Sequence, residues 1–301
     1  MPVYLLRYGE IGVKSAIVRS RFERKLGDNL LALLSARGAK GGIEREWGRL
    51  RLRCDDDAAA SDALSHLFGL VSWSRVTELP ADPSALKEHA ALRAGALLGA
   101  GTRFAIRARR TGEHAFTSAQ VAGEIGAAVL ARVPAARVDL SAPEREFFFE
   151  IRDERAYYYE SVEPGPGGLP AGVEGVAAAA VGDLRGACAA WMALRRGCDV
   201  LALPVPPGGD DSIAALRAWH PPLRVLPAAG DDPLEWRSIA SRHGASAVFV
   251  GASLEQAVAL PAGDPPFLAP LVALRDSDVA RLSAVVRGQL PPYAVAREVL
   301  A

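Results

Sequence analysis

A ten-residue segment in the middle of the chain, Glu163–Gly172, has glycine or proline at seven of its positions. Because both residues interrupt helices and strands, no regular element is expected to run through it. The segment therefore predicts a boundary, with folded structure before it and a separate domain after it. The two sides also differ in composition, since no lysine follows Lys87 and the later part is rich in alanine.

The length and composition exclude several classes of protein. The chain has 301 residues, of which 50% are hydrophobic, and this indicates two or three domains with real cores. Its three cysteines are too few and too scattered for a disulfide scaffold or a zinc site. We expect no basic leader and no membrane span, because no apolar run approaches the roughly 18 residues that a span needs. The expected protein is soluble and cytoplasmic.

The net charge of zero conceals a basic N-terminal region. The first 53 residues contain 12 basic and five acidic side chains. Such an excess favours a polyanionic partner, although basic surfaces are also common on proteins that never meet nucleic acid. Charge alone leaves the solvated surface as the favoured interpretation.

The hydrophobic pattern before residue 80 predicts a small unit in which three strands alternate with two helices. The strands are expected at Val3–Leu6, Ile43–Cys54 and Val71–Thr77, and the helices at Ser15–Ser35 and Ala58–Phe68.

Another small domain is predicted between Pro80 and the segment rich in glycine and proline. Helices are expected at Leu86–Leu98 and Ser118–Ala131, the second capped by Ser118, and strands at Arg103–Arg110, Phe147–Ile151 and Ala156–Ser161.

The last part of the chain shows the alternation of strands and helices that is typical of a three-layer α/β domain. Val176–Val181 is a continuous run of small apolar residues suited to a buried parallel strand. The loop Gly182–Gly186 and a helix at Ala187–Arg196 follow. Further strands are expected at Asp199–Leu203, Leu223–Leu226 and Ala247–Val250, with helices at Ser212–Trp219, Leu234–His243 and Asp276–Arg287.

The segment Arg107–Ser118 combines basic strand residues with a turn and the start of a helix. Guanidinium groups pair with phosphate, exposed histidine or phenylalanine rings can stack on bases, and free amides at a helix start attract anions. The alternative is a charged edge strand followed by an ordinary capped helix. Chemistry alone slightly favours that alternative.

Three motifs in order give the chain a resemblance to a known family. They are Leu6–Lys14 (LRYGEIGVK), Arg109–Ser118 (RRTGEHAFTS) and Gly167–Gly172 (GGLPAG). Together they resemble the tRNA 4-thiouridine synthase (ThiI-type) family. The resemblance implies an N-terminal ferredoxin-like domain, a THUMP domain that grips the acceptor end of tRNA, and a PP-loop domain that adenylates a uridine.

The expected fold is therefore an α+β N-terminal half followed by a three-layer, Rossmann-like α/β domain of the PP-loop type. We place the ferredoxin-like domain at 1–72, the THUMP domain at 73–165, a linker at 166–172 and the PP-loop-like domain at 173–301.

The chain departs from the family where the chemistry should lie. The family motif S-G-G-x-D-S falls on Val181–Gly186 (VGDLRG), so both motif hydroxyls are absent, at Val181 and at Gly186. Gly182 is retained, Asp183 brings a carboxylate to a site meant for phosphate, and Arg185 replaces the acidic residue. No cysteine follows Cys198, so the sulfur-relay cysteine of the family has no counterpart in this sequence.

These observations predict a tRNA-binding protein with a degenerate and catalytically inactive PP-loop, without cofactor or metal. The residues expected to contact phosphate and 2′-hydroxyl groups are Arg107, Arg109, Arg110, His114 and Ser118 in the THUMP domain, helped by Lys14, Arg19 and Arg21. Cys188 and Cys198 are expected to be small buried residues.

Two alternatives stay open. The protein is an active tRNA sulfurtransferase that uses ATP and Mg²⁺ through an altered loop, or it is a non-catalytic assembly partner of a tRNA-modifying enzyme. The family resemblance also allows a homodimer.

Overall fold

The computed structural model describes residues 1–46, 48–227 and 230–296. The chain divides into two compact units, the first formed by Met1–Leu5 and Ser74–Glu163 and the second by the described residues of Leu6–Trp73 and Pro164–Ala301. No described helix is both long enough and apolar enough to cross a lipid bilayer.

The N-terminal elements follow the order strand, helix, two strands, helix and strand. They are β1 (Val3–Tyr8), a 3₁₀ turn (Glu10–Val13), α1 (Ala16–Ala36), β2 (Gly41–Glu46), β3 (Arg49–Cys54), α2 (Asp57–Ser65) and β4 (Leu70–Pro80). The strand order β2-β3-β1-β4 is that of a ferredoxin-like domain. Helix α1 buries the apolar face that the sequence predicts, through Phe22, Leu26, Leu30, Leu33 and Leu34.

The single strand expected at Ile43–Cys54 is wrong. The structure has a hairpin there, with β2 antiparallel to β3 and pairs running from Gly41↔Cys54 to Glu46↔Arg49. Gly48 lies in the turn with φ +75°, a conformation that favours glycine. Charged and apolar residues alternate only in β3, because β2 ends in the three consecutive charged residues Glu44, Arg45 and Glu46. The alternation therefore does not reveal where the first strand ends.

The region predicted to be a THUMP domain combines two helices with a sheet of order β4-β8-β7-β5-β6. Its elements are α3 (Pro83–Leu97), β5 (Arg103–Thr111), α4 (Ser118–Arg132), β6 (Arg137–Val138), β7 (Arg145–Arg152), β8 (Arg155–Tyr159) and β9 (Glu163–Pro164). Strand β5 runs parallel to β7, and β7 is antiparallel to β8. Both helices cover one face of this sheet, where Leu86, Val121 and Ile125 pack with Phe104 and Phe147.

The C-terminal part is built around a parallel sheet of order β12-β11-β10-β13-β14. Its elements are β10 (Val176–Val181), α5 (Leu184–Arg195), β11 (Asp199–Pro204), α6 (Asp210–Trp219), β12 (Arg224–Val225), α7 (Pro233–Arg242), β13 (Val248–Phe249), α8 (Leu254–Val258), β14 (Phe267–Leu268), α9 (Asp276–Val286) and α10 (Tyr293–Ala296). Side chains of the central strand β10 alternate between two cores, with Ala179 and Val181 on the side of α5 and α9, and Ala178 and Ala180 on the side of α7. The expected three-layer α/β domain is confirmed.

The segment rich in glycine and proline is held by backbone hydrogen bonds within the second unit. The amides of Gly165 and Gly167 donate to Val71 and Leu70 at 2.9 and 2.8 Å, and the amide of Leu169 donates to Arg195 at 2.9 Å. A Cβ at Gly168 would lie 2.1 Å from the carbonyl oxygen of Arg195, so a side chain has no room there. The segment, which joins β8 to β10 in the chain, is therefore packed against the start of β4 and the end of α5. The domain limits assigned from the sequence stay a prediction.

Aromatic packing joins the region with the ferredoxin-like strand order to the C-terminal region of the same unit. The ring of Phe68 lies 5.2 Å from that of Trp191 and 5.4 Å from that of Trp219. All three rings are buried in one core. Asn29 adds a buried hydrogen bond from Nδ2 to the carbonyl oxygen of Ala171, at 3.0 Å.

Candidate nucleic-acid interface

The end of β5 presents an exposed basic edge. Arg109, Arg110 and Thr111 are all exposed, whereas the residues Phe104–Ile106 earlier in the strand are buried. Arg110 donates from Nη1 to the carbonyl oxygen of Gly112 at 3.1 Å. Arg109 makes no ion pair within the described ranges of the chain. The two guanidinium groups are therefore available to an anion.

Arg107, two residues earlier on β5, is neutralised by its neighbours. Its Nε donates to Glu146 Oε1 at 2.6 Å, and its Nη2 donates to the carbonyl oxygen of Leu140 at 2.9 Å. A guanidinium that already faces a carboxylate contributes little net charge to an incoming phosphate. The structure thus separates Arg107 from the two arginines with which the sequence grouped it.

His114 ties the loop before α4 to the turn between β7 and β8. Its Nε2 lies 2.8 Å from the carbonyl oxygen of Asp153, which requires a proton on that nitrogen. Its ring is 5.3 Å from that of Phe116, at an angle of 42°. Asp153 itself has φ +47° at the tip of the turn. The contact places His114 as a support for the loop, with Phe116 half-buried beside it.

Helix α4 starts with a capping box at Thr117, so the expectation that Ser118 is the N-cap is wrong. Thr117 accepts a hydrogen bond from the amide of Gln120 at 3.1 Å, and the Gln120 side chain accepts one from the amide of Thr117 at 2.8 Å. Ser118 is the first helical residue. Its amide and that of Ala119 have no intrahelical partner, as is general for the first turn of a helix. These free amides form the positive end of the helix dipole.

Lys14, Arg19 and Arg21 belong to the second unit, and two of them lie close to the same aromatic ring. Lys14 Nζ and the Arg21 guanidinium lie 5.9 and 5.3 Å from the ring of Phe22. Burial and the hydrogen bond to Glu23 raise the pKa of the Tyr8 hydroxyl, against the opposing positive charges of Arg19 and Arg49. Arg21 shares a face of α1 with Arg24 and Lys25, at spacings of three and four residues. The sequence predicts all three on the polar side of this helix, but only Arg21 among them is predicted as a binding residue.

The loop Gly182–Gly186 is closed by its own carboxylate. Asp183 caps α5, with Oδ1 accepting a hydrogen bond from the amide of Gly186 at 2.8 Å. Helix α5 therefore starts at Leu184, three residues before the expected start at Ala187. Val181 is buried in the core, and Arg185 donates from Nε to the carbonyl oxygen of Gly251 at 3.0 Å.

Backbone atoms pack tightly around this loop. A Cβ at Gly182 would lie 2.5 Å from the carbonyl oxygen of Pro206, and one at Gly186 would lie 2.5 Å from that of Ala180. The glycines of the loop thus serve close packing between the strand ends and α5.

A cleft of about 290 Å³ opens beside the loop, at the carboxyl ends of β10, β11 and β13. Ligands of parallel α/β domains bind at this edge of the sheet. The cleft is lined by the carboxylates of Asp183 and Asp231 and the ring of Trp236, with no lysine or arginine among its lining residues in the described part of the chain. Its electrostatics therefore disfavour a polyphosphate.

The two cysteines of the C-terminal part have suppressed reactivity. Cys188 is fully buried in the core, and burial raises the pKa of its thiol to about 11. Burial and the nearby Glu174 also raise the pKa of Cys198. Thiols of this kind are poor nucleophiles at neutral pH. No group of three or more His, Cys, Asp or Glu side chains among the described residues has metal-binding geometry.

Comparison with protein families matches two regions of the chain. The ThiI ferredoxin-like domain matches residues 3–74, and the THUMP domain matches residues 87–159. The probable tRNA sulfurtransferase of Methanothermobacter thermautotrophicus is 41% identical over 207 residues, which cover 67% of this chain and 52% of that protein. The tRNA sulfurtransferase of Pyrobaculum aerophilum is 36% identical over 327 residues, covering 93% and 66%. The chain spans about half the length of the first of these relatives.

Two solved structures share the fold. PH1313 from Pyrococcus horikoshii superposes with a TM-score of 0.82 at 24% identity, covering 95% of this chain and 99% of that one. A 4-thiouridine synthetase crystallised with RNA and bound ATP superposes with a TM-score of 0.76 at 21% identity, covering 99% and 87%. The expected succession of ferredoxin-like, THUMP and α/β domains is confirmed.

Proposed function

The chain belongs to the tRNA 4-thiouridine synthase (ThiI-type) family, and from that premise we propose that it binds tRNA at the acceptor end through its THUMP domain without transferring sulfur. The observation that carries the binding is the exposed pair Arg109 and Arg110 at the end of β5, just before the start of α4. Guanidinium groups and helix-start amides together favour phosphate oxygens.

The roles of the predicted residues follow from their surroundings. Arg109 and Arg110 meet phosphates, and Ser118 offers a hydroxyl and a first-turn amide at the start of α4. His114 holds the loop through Asp153, so it positions the contact surface. Arg107 is the weakest contributor, because Glu146 already compensates its charge.

The test is a titration of unmodified tRNA at two salt concentrations. Each of Arg109→Gln and Arg110→Gln is expected to weaken binding and to lower the slope of log affinity against log salt by about one, the effect of one lost phosphate contact. Arg107→Gln should change the slope less. Arg137→Gln is the matched control, since this exposed arginine lies on β6 and loses the same charge. Unchanged binding by the Arg109, Arg110 double variant would refute the assignment.

The proposed lack of sulfur transfer rests on the Asp183 cap. The carboxylate accepts the hydrogen bond of the Gly186 amide. It also brings negative charge to the helix start where a PP-loop would hold pyrophosphate. The check is pyrophosphate release from ATP by the purified protein, with and without tRNA. We expect none above background, and tRNA-dependent release would show that the altered loop still activates a base.

The second candidate is an active, ATP-dependent tRNA sulfurtransferase. It is favoured by the names of the relatives and by the open cleft at the strand ends beside Gly182 and Gly251. The same pyrophosphate assay separates the two candidates. Formation of 4-thiouridine in tRNA, measured by its near-ultraviolet absorbance, would identify the second candidate.

A further inference from the structure

A shallow basic niche lies on the second unit, away from the cleft of the degenerate loop. It has a volume of about 210 Å³ and is lined by Arg21, Arg24, Lys25 and Asp28 of α1 and by Gly172 and Val173. The four α1 residues recur at helical spacing, so they share one face. At about 30 Å³ per water molecule, the niche has room for a hydrated anionic group.

The positive charge of the niche exceeds what the described residues compensate. Arg21, Arg24 and Lys25 form no ion pair within the described residues, and Asp28 forms none with Arg24 despite its i,i+4 position. Other cations of the same domain are paired, such as Arg37 with Asp62 and Arg51 with Glu44. Three cations against one carboxylate leave an excess that an anion would neutralise.

The backbone side of the niche is rigid. The amides of Gly172 and Val173 both donate to the carbonyl oxygen of Gly197 at 2.9 Å. Gly172 has φ +91°, and a Cβ there would lie 2.6 Å from Cε of Lys25, so only glycine lets this lysine lie across the segment. The buried hydrogen bond from Asn29 to Ala171 fixes α1 beside it. The cations therefore surround a preformed surface.

We propose that this niche binds a phosphodiester group of the RNA backbone, as a second phosphate site separate from the β5–α4 edge. The inference rests on the RNA binding proposed above. RNA is favoured over a free phosphate because the guanidinium groups of Arg21 and Arg24 are exposed and the niche is open, which suits one group of a long polyanion. A site for a small free anion would enclose it with buried donors.

The test compares two triple variants of equal charge. Arg21→Gln, Arg24→Gln and Lys25→Gln remove the niche cations. Arg217→Gln, Arg242→Gln and Arg287→Gln are the matched control, because these arginines are exposed on the same unit, away from the niche and without ion pairs among the described residues. The niche variant should bind tRNA about tenfold more weakly at low salt, with a salt slope smaller by about one to two. The control should keep the wild-type slope within error.

A single variant with the opposite expected sign guards against misfolding. Asp28→Asn removes the one carboxylate of the niche, and it should tighten tRNA binding a few-fold. A niche triple variant that binds like the control, or an Asp28→Asn variant that binds like wild type, overturns the proposal.

Calorimetry with inorganic phosphate distinguishes the source of the anion. Phosphate binding that is lost in the niche triple variant, while tRNA binding is kept, would identify a free-anion site and contradict the RNA site. The failure of the two proposals is also distinguishable. If Arg109→Gln and Arg110→Gln weaken binding and the niche variant does not, the niche assignment alone is wrong.

Discussion

Helices α4 and α5 each follow a strand through a short loop, and each begins with a side chain that accepts a hydrogen bond from the third helical amide. The cap of α4 is the hydroxyl of Thr117, and the cap of α5 is the carboxylate of Asp183. Both arrangements satisfy an amide that the helix leaves unpaired. They leave very different charges at the helix start.

The loops that precede the two helices extend this difference. Before α4 stand the exposed Arg109 and Arg110, and the cap adds no charge. Before α5 stand the buried Val181 and Gly182, the cap is negative, and Asp231 lines the cleft beyond it. The positive end of a helix attracts an anion only where the cap and its neighbours do not already supply one. Affinity for phosphate at such junctions is therefore decided by a few side chains and not by the fold.

Acid should lower the stability of the region around α5 more than that of the region around α4, and this is the largest expected difference. Burial lowers the pKa of His220 to about 4 from 6.5, with Lys25 contributing and Asp199 opposing. Between these values the unfolded chain binds a proton that the folded chain does not, so stability is present above pH 6.5 and is lost as pH falls toward 4. The loss is about 3 kcal/mol when complete. His220 follows α6, whose Trp219 shares a core with α5.

The measurement is urea unfolding from pH 7 to pH 4, followed by hydrogen exchange at α5 and α4. His220→Gln should weaken the pH dependence and leave the contributions of His66 and His89, whose pKa values burial also lowers. The exposed His243→Gln should retain the wild-type dependence. In wild type, acid should raise exchange at α5 more than at α4. An equally steep pH dependence in His220→Gln would disprove the assignment.

Adding a methyl group should have opposite effects on the two helices. A Cβ at Gly186 would lie 2.5 Å from the carbonyl oxygen of Ala180, so Gly186→Ala should destabilise the protein by about 2 kcal/mol. Gly123 in α4 is exposed, with no atom within 4 Å of an added Cβ. Gly123→Ala should therefore stabilise by about 0.5–1 kcal/mol, since alanine is favoured in helices.

The urea unfolding midpoints of the two alanine variants, compared with that of wild type, give the sign of each stability change. Effects of the same sign would mean that the packing of α5 against β10 is looser than the structure indicates.

Much of this architecture could be predicted from the sequence, because hydrophobic periodicity reports burial directly. Strand β10 has the predicted bounds Val176–Val181, and the helix predicted at Ser15–Ser35 differs from α1 by one residue at each end. The family resemblance placed the altered loop on Val181–Gly186. A local pattern sufficed for these features, since each depends on residues close together in the chain.

Features that depend on distant partners could not be predicted. Alternation along β5 does not show that Glu146 on β7 pairs with Arg107 and leaves Arg109 free. Composition marks Glu163–Gly172 as irregular, but it does not show that the segment is hydrogen-bonded to Leu70 and Arg195. The short elements α8 and β14 were also missed, because a few residues carry too little periodicity.

Removing each cap in turn tests whether the cap decides the charge and the anion affinity at the two helix starts. Thr117→Ala and Asp183→Ala each remove a hydrogen bond to the third helical amide, and each should destabilise by about 1 kcal/mol in urea unfolding. Asp183→Asn keeps a good cap without the charge, so its stability should stay within a few tenths of a kcal/mol of wild type.

The same three variants should diverge in anion binding. Asp183→Ala frees the amide of Gly186 and removes the carboxylate, so calorimetry with pyrophosphate should detect binding that wild type lacks. Asp183→Asn should show a smaller gain, because its amide side chain still occupies the helix start. Thr117→Ala should leave pyrophosphate binding at the wild-type level, since its helix lacks the cleft. If Asp183→Ala loses stability but gains no affinity, the carboxylate is only a cap, and the missing hydroxyls at Val181 and Gly186 account for the loss of the phosphate site.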